Sequence, residues 1–154
     1  MITTKTSLSF VVEALQGIHL PTDTYKVALI KTGHVGTYDQ RMTDYGSGTG
    51  TPAFDNLGTD EVTAAGYPAG GLTLAAPTIN TYGNAVVALD FADPTPLNNV
   101  TISADGGVIY NATKGGRVLG VFSFTNAPVV SVNGTFAVDF PAAGQTTSLI
   151  RFNT

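Results

Sequence analysis

From Leu72 onward, short apolar segments alternate with turn residues, and this pattern constrains the fold more than any other feature of the sequence. Tyr82-Gly83-Asn84, Asp105-Gly106-Gly107 and Asn133-Gly134 are typical of tight turns between neighbouring antiparallel strands. Short strands at this spacing predict an all-β, jelly-roll-like β-sandwich of about eight antiparallel strands, with a closed barrel as the other solution. The segments predicted as strands are residues 72–80, 85–91, 100–103, 108–111, 117–124, 129–132, 135–140 and 148–152.

The segment before Leu72 contains one helix candidate and one strand candidate. Residues 7–16 carry apolar side chains at helical spacing, which predicts one short N-terminal helix with an apolar face made of Leu8, Val11, Val12 and Leu15. A helix this short must pack against its own sheet or a neighbouring subunit. Tyr25–Lys31 is largely apolar on both faces, which is typical of a central strand.

Residues 32–60 are the least regular stretch of the chain. Residues 44–52 read DYGSGTGTP, and so many glycines are costly to order. A structureless segment of this length is usually functional or disordered in a compact domain. We expect a long irregular surface loop that orders against a partner, within a single domain that spans residues 1–154 and begins with a helical segment over 1–20.

The composition narrows the classes of partner. Charged residues make up 12% of the chain, against about 25% in typical soluble proteins. The net charge is -4 and the lysines and arginines form no cluster, so no nucleic-acid partner is expected. Charged residues are depleted at the centres of protein interfaces, so this composition fits contacts with other proteins. It fits equally an ordinary β-rich protein whose many threonines reflect strand propensity. No segment reaches the ~20 apolar residues of a membrane span and the N-terminus is unlike a signal peptide, so neither a membrane partner nor export is expected.

The sequence contains no pattern that carries a known chemistry. There is no cysteine, and the two histidines, His19 and His34, lack the paired spacing of metal ligands. No serine lies in a G-x-S-x-G elbow, and Gly46–Gly50 lacks the lysine of a phosphate-binding loop. We therefore expect no catalytic residues, no metal and no cofactor, with a histidine-dependent hydrolase only as a formal alternative.

Aromatic and apolar side chains outside the predicted strands are the candidates for binding a partner. Large aromatic rings anchor both protein and sugar ligands, although they also pack loops onto sheets. The candidate partner-binding residues are Tyr38, Tyr45, Phe54 and Tyr67 from the irregular region, together with Leu8 and Val12 from the predicted helix.

The most distinctive stretch is residues 59–74, TDEVTAAGYPAGGLTL. It resembles the D/N-E-V-x-x-x-G-Y-x-x-G-G-x-x-L segment of small structural proteins of tailed bacteriophages. The resemblance continues through YKVALI at 25–30, NVT at 99–101, VIYN at 108–111 and VLGVFSF at 118–124, and so covers roughly residues 24 to 140. Ser123 stands where the family often has aspartate, and residues 36–55 are peculiar to this chain.

The resemblance implies a virion component. Our preferred interpretation is a capsid decoration (cement) protein, made in the host cytoplasm, that binds the major capsid protein on the capsid surface as a homotrimer. A tail- or fibre-associated structural protein, or a receptor- or glycan-binding module, is the alternative. Gly66, Gly70 and Gly71 around Tyr67 permit unusual backbone conformations, so we interpret the motif as a signature of the fold rather than as a binding site.

Overall fold

The computed structural model describes residues 1–46, 50–53 and 55–153, and these residues form nine strands, one α-helix and one 3₁₀-helix. The expected all-β sandwich of antiparallel strands with one short N-terminal helix is confirmed. In chain order the elements are β1 (Lys5–Thr6), α1 (Leu8–Leu15), β2 (Tyr25–Lys31), the 3₁₀-helix (Gly58–Asp60), β3 (Leu72–Thr73), β4 (Thr78–Tyr82), β5 (Val86–Asp90), β6 (Leu97–Asn111), β7 (Arg117–Ser123), β8 (Val129–Phe136) and β9 (Ile150–Asn153).

The strands form two sheets. The larger sheet has the order β1-β7-β6-β2-β3, with β8 also paired to β6, and the smaller one has the order β4-β5-β9. The long strand β6 is shared: its N-terminal part pairs with β8, and its C-terminal part lies between β2 and β7. It therefore connects every long strand of the larger sheet.

The central strand β2 is buried on both faces, as its apolar pattern predicts. Side chains alternate across a strand, so Val27 and Leu29 enter one core while Ala28 and Ile30 enter another. The first core also contains side chains of β9 and of helix α1, and the second lies on the opposite face of the larger sheet.

The described part of residues 32–60 covers that opposite face. It is irregular as expected, but it packs against its own sheet instead of projecting as an arm, so the prediction of a loop that needs a partner to order is corrected here. The reason is apolar burial, since four of its side chains belong to the second core: Tyr38, Met42, Tyr45 and Leu57.

The predicted turn at Asp105-Gly106-Gly107 is wrong, because β6 runs through it without interruption. A Cβ atom on Gly106 would lie 2.1 Å from the carbonyl oxygen of Phe122 in β7. A Cβ atom on Gly107 would lie 2.8 Å from the Phe122 ring. These glycines allow close approach of neighbouring chain within a sheet, which is the other common use of glycine in strands.

The predicted hairpin at Asn133-Gly134 is also wrong, because β8 continues through it. Between the pairs Val100↔Gly134 and Ile102↔Ser131, strand β8 has one residue more than β6. Asn133 has a φ of 48° at this point. An extra residue with positive φ is characteristic of a β-bulge, for which asparagine is as well suited as it is for a turn.

Two further predicted strands have different limits in the structure. The predicted strand 72–80 is split into β3 and β4, and Pro77, which has no N–H to donate, lies between them. The predicted strand 135–140 is not a separate element. Its first two residues form the end of β8, and residues 137–140 lie outside the strands.

Candidate partner-binding surface

The conspicuous motif at residues 59–74 builds a buried carboxylate cluster. Glu61 follows the 3₁₀-helix and forms a β-bridge with Ile30 of the central strand. Its carboxylate accepts hydrogen bonds from the hydroxyls of Tyr45 at 2.5 Å and Tyr67 at 3.1 Å, and from the backbone N–H of Gly70 at 2.8 Å. Both carboxylate oxygens are therefore engaged by groups of the protein itself.

The neighbouring Asp60 is only 1% exposed and is satisfied in a similar way. It accepts hydrogen bonds from the backbone N–H groups of Val35 and Gly36 and from the Tyr38 hydroxyl, the last two at 2.8 Å. Burial alone would raise its pKa, but these hydrogen bonds and the nearby Lys31 ammonium hold the pKa below its usual value. Asp60 thus anchors the irregular segment as a carboxylate.

The three tyrosines nominated as contact residues are structural. Tyr38, Tyr45 and Tyr67 are buried, and burial together with the adjacent carboxylates raises the pKa of each hydroxyl. Tyr45 also stacks on Tyr110, with ring centroids 4.2 Å apart. Their assignment as exposed partner-binding residues is therefore corrected, because all three rings are almost wholly buried and their hydroxyls bind carboxylates of the same chain. Phe54, nominated with them, lies outside the described residues.

The geometry agrees with the interpretation of the motif as a signature of the fold. Gly71 has a φ of +86°, and a Cβ atom there would lie 2.1 Å from the carbonyl oxygen of Val27. Only glycine allows the motif to approach β2 this closely. The motif thus packs along β2, and its residues Leu72 and Thr73 form β3 against that strand.

A pocket of about 550 Å³ lies beside the cluster and is lined in part by Tyr45, Glu61 and Tyr67. Tyr45, Tyr67 and Gly70 donate three hydrogen bonds to Glu61, and these bonds hold its carboxylate in place at the wall of this pocket.

Helix α1 supplies a different kind of surface. Its apolar residues at i, i+4 and i+7 point outward, with Leu8 61%, Val12 55% and Leu15 88% exposed. The opposite side of the helix faces the protein through Phe10 and Glu13. We call the set Leu8, Val12 and Leu15 the outer face of α1. The sequence predicted Leu8 and Val12 as partner-binding residues. It did not predict Leu15 as one, although the spacing of Leu15 places it on the same face.

The orientation of α1 follows from a polar network on its inner side. Glu13 contacts His19 Nε2 at 2.8 Å and also forms an ion pair with Arg117 of β7. Asn111 lies 3.1 Å from the other ring nitrogen of His19. These contacts hold the Glu13 side chain against the sheet. Together with the burial of Phe10 in the first core, they turn the apolar side of the short helix away from it.

Other chemistry is not apparent in the part of the chain that the structure covers. Its histidines, aspartates and glutamates include no group of three placed to bind a metal ion. Among the same residues, no helix has the length and apolar character needed to cross a membrane. Comparison of the chain with protein-family models, with curated proteins and with solved structures finds no match.

Proposed function

We propose that this protein is a structural component of a tailed-phage virion, a capsid decoration protein that binds the major capsid protein between capsomers and stabilises the head. The observation that carries the proposal is the outer face of α1, an apolar surface on a chain with few charges. Residues 59–74 resemble a segment of phage structural proteins, and this resemblance is the reason for proposing a phage virion as the particle.

A structural role is supported by how the chain uses its functional groups. Asp60 and Glu61 are the two carboxylates of the motif, and each accepts hydrogen bonds from backbone and tyrosine donors. These bonds fix the irregular segment to the sheet. Because these carboxylates stabilise the fold, we look for the function of the protein on its exposed surface.

The outer face of α1 can supply useful binding energy. Full burial of a valine or leucine side chain is worth about 1.5–3 kcal/mol. Three copies around a threefold axis would engage three such faces at once, and linked contacts raise the overall affinity through effective concentration. Because the protein binds the assembled shell, it stabilises that shell by mass action.

The test uses purified heads of the parent phage from which this protein has been omitted. The wild-type protein should bind the heads and raise their melting temperature. Leu15→Lys should weaken binding at least tenfold, which corresponds to ~1.4 kcal/mol. Val35→Lys, a change at another exposed apolar residue, is the matched control and should bind as wild type does.

The outcomes separate the alternatives. Binding to purified tails but not to heads would instead identify the protein as a tail component. Absence of binding to either particle would overturn the proposal, and so would binding that Leu15→Lys and Val35→Lys weaken equally.

A further inference from the structure

Strand β4 has a free edge that lacks the usual protection against pairing. Sheet edges are normally short, charged or bulged, because an exposed edge invites another strand to add. Among the described strands, β1 and β3 have two residues each, β9 carries Arg151, and β8 contains the bulge at Asn133. Strand β4 has five residues, no charge and an uninterrupted register with β5.

We propose that β4 pairs antiparallel with β4 of a second copy of this chain, centred on Asn80. The contact would join two three-stranded sheets into one six-stranded sheet. It would be an isologous interface, in which the same five residues act from both sides. The inference uses the geometry of the sheet alone and stands apart from the proposed role in a virion.

The sequence of β4 is compatible with itself in this register. With Asn80 opposite Asn80, Ile79 of one copy lies opposite Thr81 of the other, and Thr78 lies opposite Tyr82. Cross-strand pairs of β-branched and aromatic residues are favourable, whereas like charges placed opposite one another are destabilising. No charged residue occurs in β4, so this penalty does not arise.

The same register extends an apolar row across the sheet. Phe152, Val87 and Thr81 are cross-strand neighbours on one face of the smaller sheet. Paired residues share a face, so Ile79 of the second copy would be next in this row. In the single chain Ile79 is 58% exposed, and pairing would cover part of it against Thr81 of the second copy. The gain is greatest for the apolar residues that the isolated sheet leaves in water.

A cysteine cross-link tests the pairing directly, because the chain has no cysteine of its own. Opposed residues in antiparallel strands have Cα atoms about 4.5–5.5 Å apart. This separation lies within the range of ~4.4–6.8 Å that a disulfide spans. Asn80→Cys should therefore form a covalent dimer under mild oxidation. Thr73→Cys, on the short edge strand β3, is the control and should cross-link far more slowly.

A second variant measures the contact without a covalent bond. Ile79→Lys removes an apolar side chain from both copies and brings two ammonium groups close together, so it should weaken self-association at least tenfold in sedimentation equilibrium. Val132→Lys, at an exposed residue of β8, should leave self-association unchanged. Thermal denaturation checks that each variant is folded.

The pairing is wrong if Asn80→Cys cross-links no faster than Thr73→Cys at the same protein concentration. It is also wrong if Ile79→Lys and Val132→Lys give the same association constant as wild type. Neither measurement involves phage particles, so failure here leaves head binding untouched, and failure of head binding leaves this contact untouched.

Discussion

The hydroxyl of Tyr67 lies 3.1 Å from the carboxylate of Glu61, to which it donates a hydrogen bond. The same hydroxyl accepts the backbone N–H of Leu29 in β2 at 2.9 Å. Through this single oxygen, the motif at residues 59–74 is bonded to the central strand of the larger sheet. Tyr67 therefore has a structural role in the motif, since its hydroxyl links Glu61 to β2.

Replacing Tyr67 with phenylalanine should destabilise the protein through this bond. The ring would still fill the core, but the buried N–H of Leu29 would lose its acceptor, which costs about 1–3 kcal/mol. Urea denaturation measures the loss in the free energy of unfolding. Tyr82→Phe, in the edge strand β4, is the control and should cost much less; equal losses would contradict the assigned role of Tyr67.

Gly71→Ala should be among the most damaging single substitutions. The added methyl would lie 2.1 Å from the Val27 carbonyl oxygen, and φ is +86°. We expect a loss above ~3 kcal/mol, since steric overlap in a packed region adds to backbone strain. Gly83→Ala also introduces a side chain at positive φ, but it meets open space, so about 1 kcal/mol is expected. Denaturation midpoints that fall equally would refute the close approach.

Acid should destabilise the protein partly through Asp60. Its folded-state pKa is held below the unfolded value of ~3.9, so the carboxylate contributes stability above that pH and loses it as pH falls through the folded pKa. Asp60→Asn should therefore be less stable than wild type at neutral pH, with a difference that narrows in acid. Urea denaturation between pH 2 and pH 7 measures this difference. Asp139→Asn, at an exposed position, is the matched control, and a difference that does not vary with pH would count against the role of Asp60.

High pH should destabilise the folded protein by ionising its buried tyrosines. Burial raises the pKa of Tyr25 and Tyr110 to about 12, helped by Asp23 and Glu61 respectively. A pKa raised in the folded state means that stability is complete below the unfolded pKa of ~10 and is lost as pH rises toward the folded value. Ultraviolet absorbance from ionisation of these buried tyrosines should therefore rise together with loss of the native circular dichroism. Ionisation of all tyrosines near pH 10 in a folded protein would contradict this burial.

The sequence predicted the fold class because the periodic signals are local. Alternation identified β2 as a strand covered on both faces, and helical spacing identified α1 to within one residue at each end. The predictions that failed were those that interpreted glycine and asparagine as turn residues. Gly106 and Asn133 are typical of turns, yet one allows strands to approach and the other forms a bulge. These uses depend on neighbouring strands that are distant in sequence.

The candidate surface was predicted only in part for a similar reason. Helical spacing placed Leu8 and Val12 on one face, but the direction of that face depends on Glu13 meeting Arg117, which is 104 residues away in the chain. The tyrosines were misassigned because their partners, Asp60 and Glu61, are brought to them by the packing of an irregular segment. Two adjacent acidic residues gave no local indication that both would be buried.

Strand β6 has a consequence for how the protein comes apart. It contributes pairing residues to β2, β7 and β8, so no long strand of the larger sheet can detach without breaking bonds to it. The smaller sheet does not pair with β6, but Ile150 of β9 packs in the first core together with side chains of the larger sheet. Heating should therefore melt both sheets as one cooperative unit, with a calorimetric enthalpy equal to the van't Hoff value.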